Sequence, residues 1–97
     1  MNITQAKDGD ALVVSLDGRF DSVSAPEVEK IILADCGAQS LVLDFEKCPY
    51  VSSMGLRLLH KAHKMYAEKK GMTLVHVQPL VHEIFSVTGF SGIFSVK

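Results

Sequence analysis

The chain of 97 residues has no tryptophan, two cysteines, three prolines and no excess of charge of either sign. Each shortage removes a class of protein. Ten Lys and Arg against eleven Asp and Glu give a formal net charge of -1, so the electrostatic footprint of a nucleic-acid binder is missing. Cys36 and Cys48 have no partner at metal or redox spacing, which reads as two free, partly buried thiols in a reducing cytoplasm. No apolar run approaches the length of a membrane span, and the opening MNITQAKDGD has isolated apolar residues rather than a signal-peptide core. The expectation is a cytoplasmic protein with no membrane contact. A phosphate-cradling glycine loop is also missing, and His60 and His63 find no third ligand at a recognisable spacing. No cofactor and no metal are expected.

Apolar residues make up 47% of the chain and charged residues 22%, the balance of a globular protein with one core. Residues 1–97 show no repeat or linker and read as one domain. Asn2 to Lys7 and Ala11 to Leu16 alternate around Asp8-Gly9-Asp10, a β-hairpin with Leu12, Val14 and Leu16 on one face. In SAPEVEKIILAD, Ser24 is placed as a helix cap, Pro26 suits the first turn and Glu27 completes a capping box. Val28, Ile31 and Ile32 form the buried stripe, and Gly37 is a stop. SLVLDF, Ser40 to Phe45, is a nearly continuous apolar run, as for a parallel strand covered on both faces.

From Met54 the period becomes helical. Gly55, Leu58, Leu59, Ala62 and Tyr66 share one face, while Arg57, Lys61, Lys64 and Glu68 share the other. Gly71 closes that helix, MTLVHV is a fourth strand, and LVHEIFSVTG is a helix with Val81, Ile84 and Phe85 inward. GIFSV supplies a last strand. The order β-β-α-β-α-β-α-β describes an α/β fold with a mixed, largely parallel sheet and three helices. Whether the second sheet face is covered stays open at this level.

Between the third strand and the second helix lies CPYVSSMGLRLL, with Ser52 and Ser53 at the turn. Reactive groups in parallel sheets collect outside the carboxyl ends of strands, and a helix start tolerates negative charge. A serine there is a cap, a phosphate acceptor or a nucleophile. Two consecutive serines exceed what capping needs. The nucleophile reading lacks a glycine before the serine, and no spacing brings a histidine to it.

LVLDFEKCPYVSSMGLRLL resembles the signature of the STAS domain, in particular of the bacterial anti-sigma factor antagonists, and LDGRFDSVSAPEVE is similar to that family's Gly-x-(Leu/Phe)-Asp and Ser/Thr-Ala-Pro-Glu segments. The likeness extends over nearly the whole chain. It implies a phosphorylated serine two residues before Gly55, which is Ser53, with Ser52 as second choice. Ser52 stands where the best-known pattern has Asp, and Met54 where it has Ser or Thr. The resemblance further implies no enzyme but a binding module. Unphosphorylated, it would hold an anti-sigma factor that is an ATP-dependent serine kinase, and so free a sigma factor. A serine phosphatase would reverse the modification, and the free protein would be a monomer. Asp21 and Asp44 match acidic positions near the family's phosphorylation site, with a turn residue and a strand-end acceptor as their plainer readings. Ser52, Met54, Gly55 and Arg57 complete the candidate surface. The alternative is a STAS scaffold or regulatory module in a signalling complex unrelated to sigma factors.

Overall fold

The computed structural model describes residues 1–34 and 37–97, so the expected free thiol of Cys36 lies outside the described residues. The elements are β1 (Asn2–Asp8), β2 (Ala11–Asp17), α1 (Ala25–Ile32), β3 (Ser40–Lys47), α2 (Ser53–Ala67), β4 (Gly71–Val75), α3 (Pro79–Thr88), a 3-10 turn (Phe90–Gly92) and β5 (Ser95–Val96). β1 pairs with β2 antiparallel, and β2, β3, β4 and β5 pair in parallel in the order of the chain. The expected α/β order is therefore the observed one. Among the described residues no helix is long and apolar enough to cross a membrane.

Strand order decides where the helices lie. Three successive right-handed crossovers that all step the same way along a sheet place their helices on the same face. Leu12 aligns with Leu41 and Met72, and Val14 with Leu43 and Leu74; all six are buried on that face. α1 adds Ala25, Val28 and Ile32, α2 adds Leu59, Ala62 and Tyr66, and α3 adds Val81 and Phe85. Phe45 on β3 meets Phe85 on α3 edge-to-face, with ring centroids 6.3 Å apart.

The other face stays open. Val13, Val42, Thr73 and Val75 are only half-buried there, so β3 is fully covered on one side and not, as its apolar run suggests, on both. The run looks continuous because Val42 fills a half-open position that a polar residue could also fill.

Helix ends depart from expectation: α1 stops at Ile32 and α2 at Ala67, before Gly37 and Gly71, and Gly71 opens β4 instead. The hydroxyl of Ser24 accepts no hydrogen bond from the first turn of α1, so the capping box with Glu27 does not form. Ser24 instead turns inward, accepting from the Asp21 N–H at 3.0 Å and donating to the Arg19 carbonyl at 2.8 Å. At the far end of the chain, Gly89 ends α3 in the left-handed conformation (φ 83°), which costs a glycine nothing. β4 stops at Val75, two residues short of the MTLVHV reading, because His76 also takes a left-handed φ of 55°.

The asymmetry of the faces is measurable. Phe45→Ala is expected to cost about 3–5 kcal/mol in urea unfolding, through lost burial and the cavity left behind. Val42→Thr, on the open face of the same strand, is expected to cost no more than about 1 kcal/mol.

Candidate functional site

The corner between β3 and α2 is built on the end of β2. Past their last paired residues, the chains after β2 and β3 keep running side by side. Gly18 N–H donates to the Lys47 carbonyl and Phe20 N–H to the Tyr50 carbonyl, both at 2.9 Å; Ser52 N–H donates back to the Phe20 carbonyl at 2.8 Å. Phe20 and Val51 form a parallel bridge, and both are buried.

α2 then starts hard against this ledge. A Cβ on Gly55 would lie 2.9 Å from Val51 Cγ1, 3.0 Å from the Phe20 carbonyl oxygen and 3.2 Å from the Phe20 ring. The glycine of the motif is thus a packing requirement: only a residue without a side chain lets the helix approach so closely.

The two serines divide the work at this start. Ser52 is the N-cap in extended conformation, and its hydroxyl accepts the Gly55 N–H at 3.3 Å while its carbonyl accepts Leu56 N–H at 2.9 Å. Ser53 is the first helical residue, is exposed, and its hydroxyl has no hydrogen-bond partner among the described residues. Its neighbour Met54 is 44% exposed.

Asp21 belongs to the same corner, one residue beyond Phe20. Its carboxylate accepts Val23 N–H at 3.1 Å and Ser24 N–H at 3.2 Å, so it shapes the turn into α1. The Ser24 amide is the main cause, with Val23 N–H and Arg19 adding to it, of an Asp21 carboxyl held below its ordinary 3.8. Arg19 lies 3.9 Å from Asp21 and 4.5 Å over the ring of Tyr50. Val23, whose N–H Asp21 holds, is 87% exposed. Arg19 and Tyr50 carry no periodic signal, and only the pairing of the two loops puts them together. Arg57 sits in a shallow groove between α1 and α2, beside Ala25, Pro26 and Met54, with no hydrogen bond to Ser53.

Asp44 goes elsewhere. Leu43 and Phe45 point under the helices, so the side chain between them emerges on the open face, where it meets His76 Nδ1 at 3.0 Å and accepts Glu46 N–H at 2.9 Å. The remaining histidines are also occupied away from the corner or exposed. His60 packs edge-on to Phe90 and His63 to Phe94, and His82 faces solvent. His60 is half-buried. Cys48, at the base of the loop, is buried, and burial pushes its thiol up from 9.0.

Two expectations follow. Ser52→Ala should lose the cap and about 1 kcal/mol, and Gly55→Ala about 1–3 kcal/mol through overpacking, whereas Ser53→Ala should stay within about 0.5 kcal/mol, all read by urea unfolding. The depressed Asp21 carboxyl adds a stability that is complete above pH 3.8 and is lost as pH falls through its lower folded value. The stability gap between the wild type and Asp21→Asn should therefore be constant near neutrality and shrink below pH 3.8 in acid titration followed by circular dichroism.

Comparison with known proteins gives one family. The STAS domain model matches residues 2–97. BtrV of Bordetella bronchiseptica, whose name assigns it provisionally to the anti-sigma factor antagonists, is 33% identical over 99 residues, covering 99% of this chain and 85% of that protein. Among solved structures, an anti-sigma factor antagonist from Mycobacterium paratuberculosis superposes with a TM-score of 0.87 at 24% identity, over 98% of this chain and 83% of the other. SpoIIAA in its unphosphorylated form superposes with a TM-score of 0.82 at 18% identity, over 99% of this chain and 88% of the other, and the phosphorylated form gives 0.76. The motif around Gly55, the sheet order and these likenesses agree, and the chain belongs to the STAS domain family, among relatives of the anti-sigma factor antagonists.

Proposed function

We propose that this protein is an anti-sigma factor antagonist switched by phosphorylation of Ser53. The observation that carries the reading is the division of labour at the start of α2: Ser52 satisfies the helix, and Ser53 stands exposed with an uncommitted hydroxyl. Unphosphorylated, the protein binds an anti-sigma factor that is also an ATP-dependent serine kinase, and a sigma factor is released. The kinase then modifies its own inhibitor, and a serine phosphatase resets it. The chain is substrate and ligand in this cycle and supplies no catalytic group. All of this happens within residues 1–97 acting as one domain, in the cytoplasm and as a monomer between complexes.

The physical chemistry supports each step. A phosphate at the first helical position faces the positive end of the helix dipole, so roughly 1.5–2 negative charges can be added without melting α2. The same charge is costly inside an interface. Met54 presents apolar surface beside Ser53, and a partner seated there would have to strip water from a dianion. Each 1.4 kcal/mol of that penalty is about tenfold in affinity. Asp21 gives the corner a fixed negative charge that a second one would reinforce, while Arg19, Tyr50 and Arg57 frame the surface that the partner reads and Gly55 fixes the helix beneath it.

The test is to capture the partner kinase, add ATP, and map phosphate by peptide mass spectrometry. Phosphate on Ser53 with release of the complex is expected. Ser53→Ala should bind and stay unmodified, and Ser53→Asp should bind at least about tenfold more weakly. Phosphate on Ser52 would move the acceptor by one residue. A protein that binds no kinase and takes no phosphate would instead be a STAS scaffold in another signalling complex.

A further inference from the structure

The open face carries a second cluster that the switch does not use. Asp44, Glu46 and His76 converge where β3 and β4 end, and one ligand atom from each lies within 4.8 Å of the others. We propose that these three side chains bind one zinc-class divalent cation, an imidazole and two carboxylates with the remaining positions filled by water.

The geometry is close to what such an ion requires. Zinc bonds of about 2.0–2.2 Å hold tetrahedral neighbours roughly 3.3–3.6 Å apart. His76 Nδ1 and Asp44 Oδ1 stand 3.0 Å apart, so an ion replacing the shared proton needs only a small spreading of the pair. Glu46 is exposed and supplies the third oxygen by a change of rotamer rather than of backbone. The placement follows from the fold: Asp44 and Glu46 are two apart on one strand and share a face, while the left-handed φ of 55° at His76 ends β4 beside them.

Neighbouring bonds hold Asp44 and the main chain at Glu46 in place. Glu46 N–H donates to Asp44 Oδ1 at 2.9 Å, and the Gln78 amide donates to the Glu46 carbonyl at 2.7 Å. Such outer contacts fix ligand orientation. The ligand chemistry selects the ion class: imidazole with carboxylates suits zinc, nickel or manganese, whereas magnesium and calcium favour all-oxygen shells. A groove of about 280 Å³, lined by Ser15, Asp17, Asp44, Glu46 and Lys47 among others, opens beside the cluster and leaves room for the water ligands.

The experiment is titration of the chelator-treated protein with zinc chloride by calorimetry, with magnesium chloride as control. One equivalent of zinc with micromolar affinity is expected, and no saturable magnesium binding. His76→Ala, Asp44→Asn and Glu46→Gln should each weaken zinc at least about tenfold. All three lie on the surface or at its margin, and their folding is checked by circular dichroism. Zinc should also move the ring resonances of His76 in NMR spectra before those of His60 or His63. Absence of zinc binding up to millimolar concentration overturns the proposal and leaves Asp44 and His76 as a hydrogen-bonded pair. Binding that survives His76→Ala but is lost in a His60→Ala, His63→Ala double variant overturns it too, by placing the ion on α2.

Discussion

The candidate site depends on the carbonyl of Phe20. It accepts the Ser52 amide, lies beneath Gly55, and holds together the two loops that leave β2 and β3. From that one contact follow the direction in which α2 starts, the exclusion of any side chain at position 55, and the choice of which serine faces water. A glycine is needed because the backbone itself is the wall, and backbone cannot move aside as the end of a flexible side chain can.

Much of this was legible in the residues. Alternation marked β1 and β2, the change of period at Met54 marked α2, and the pairing of Gly55 with two serines marked the corner. These signals are local, and local patterns survive folding when the core agrees with them. What could not be read depended on backbone geometry that only the folded chain fixes. Ser24 looks like a cap from its place before Ala-Pro-Glu, but the carbonyl of Arg19 and the amide of Asp21, a few residues upstream, compete for its hydroxyl and win. Asp44 is placed near the serines only by its match to an acidic position of the family; the alternation of β3 sends it to the other side of the sheet. His76 has no signature at all, since a left-handed histidine is decided by where β4 must stop.

The sheet order also divides the molecule into two chemistries. The covered side is closed by aromatic and aliphatic packing, including Phe45 against Phe85 and Phe90 stacked on Phe94 at 5.1 Å. The open side is half-polar, and its charged groups gather at the carboxyl ends of β3 and β4. The proposed switch at the start of α2 and the proposed ion site at Asp44 thus lie on different solvent faces, so one can be perturbed without recutting the core that supports the other.

The ledge under α2 has a further meaning for how the serine pair is seen from outside. Phe20 and Val51 are brought together only when β2 and β3 have closed a long loop around α1, a contact that short fragments cannot make. Residues 48–59 cut out as a peptide would contain both serines and the glycine, but not the helix start that separates their roles. The corner is a property of the folded chain, so whatever reads it reads the state of the whole fold at the same time.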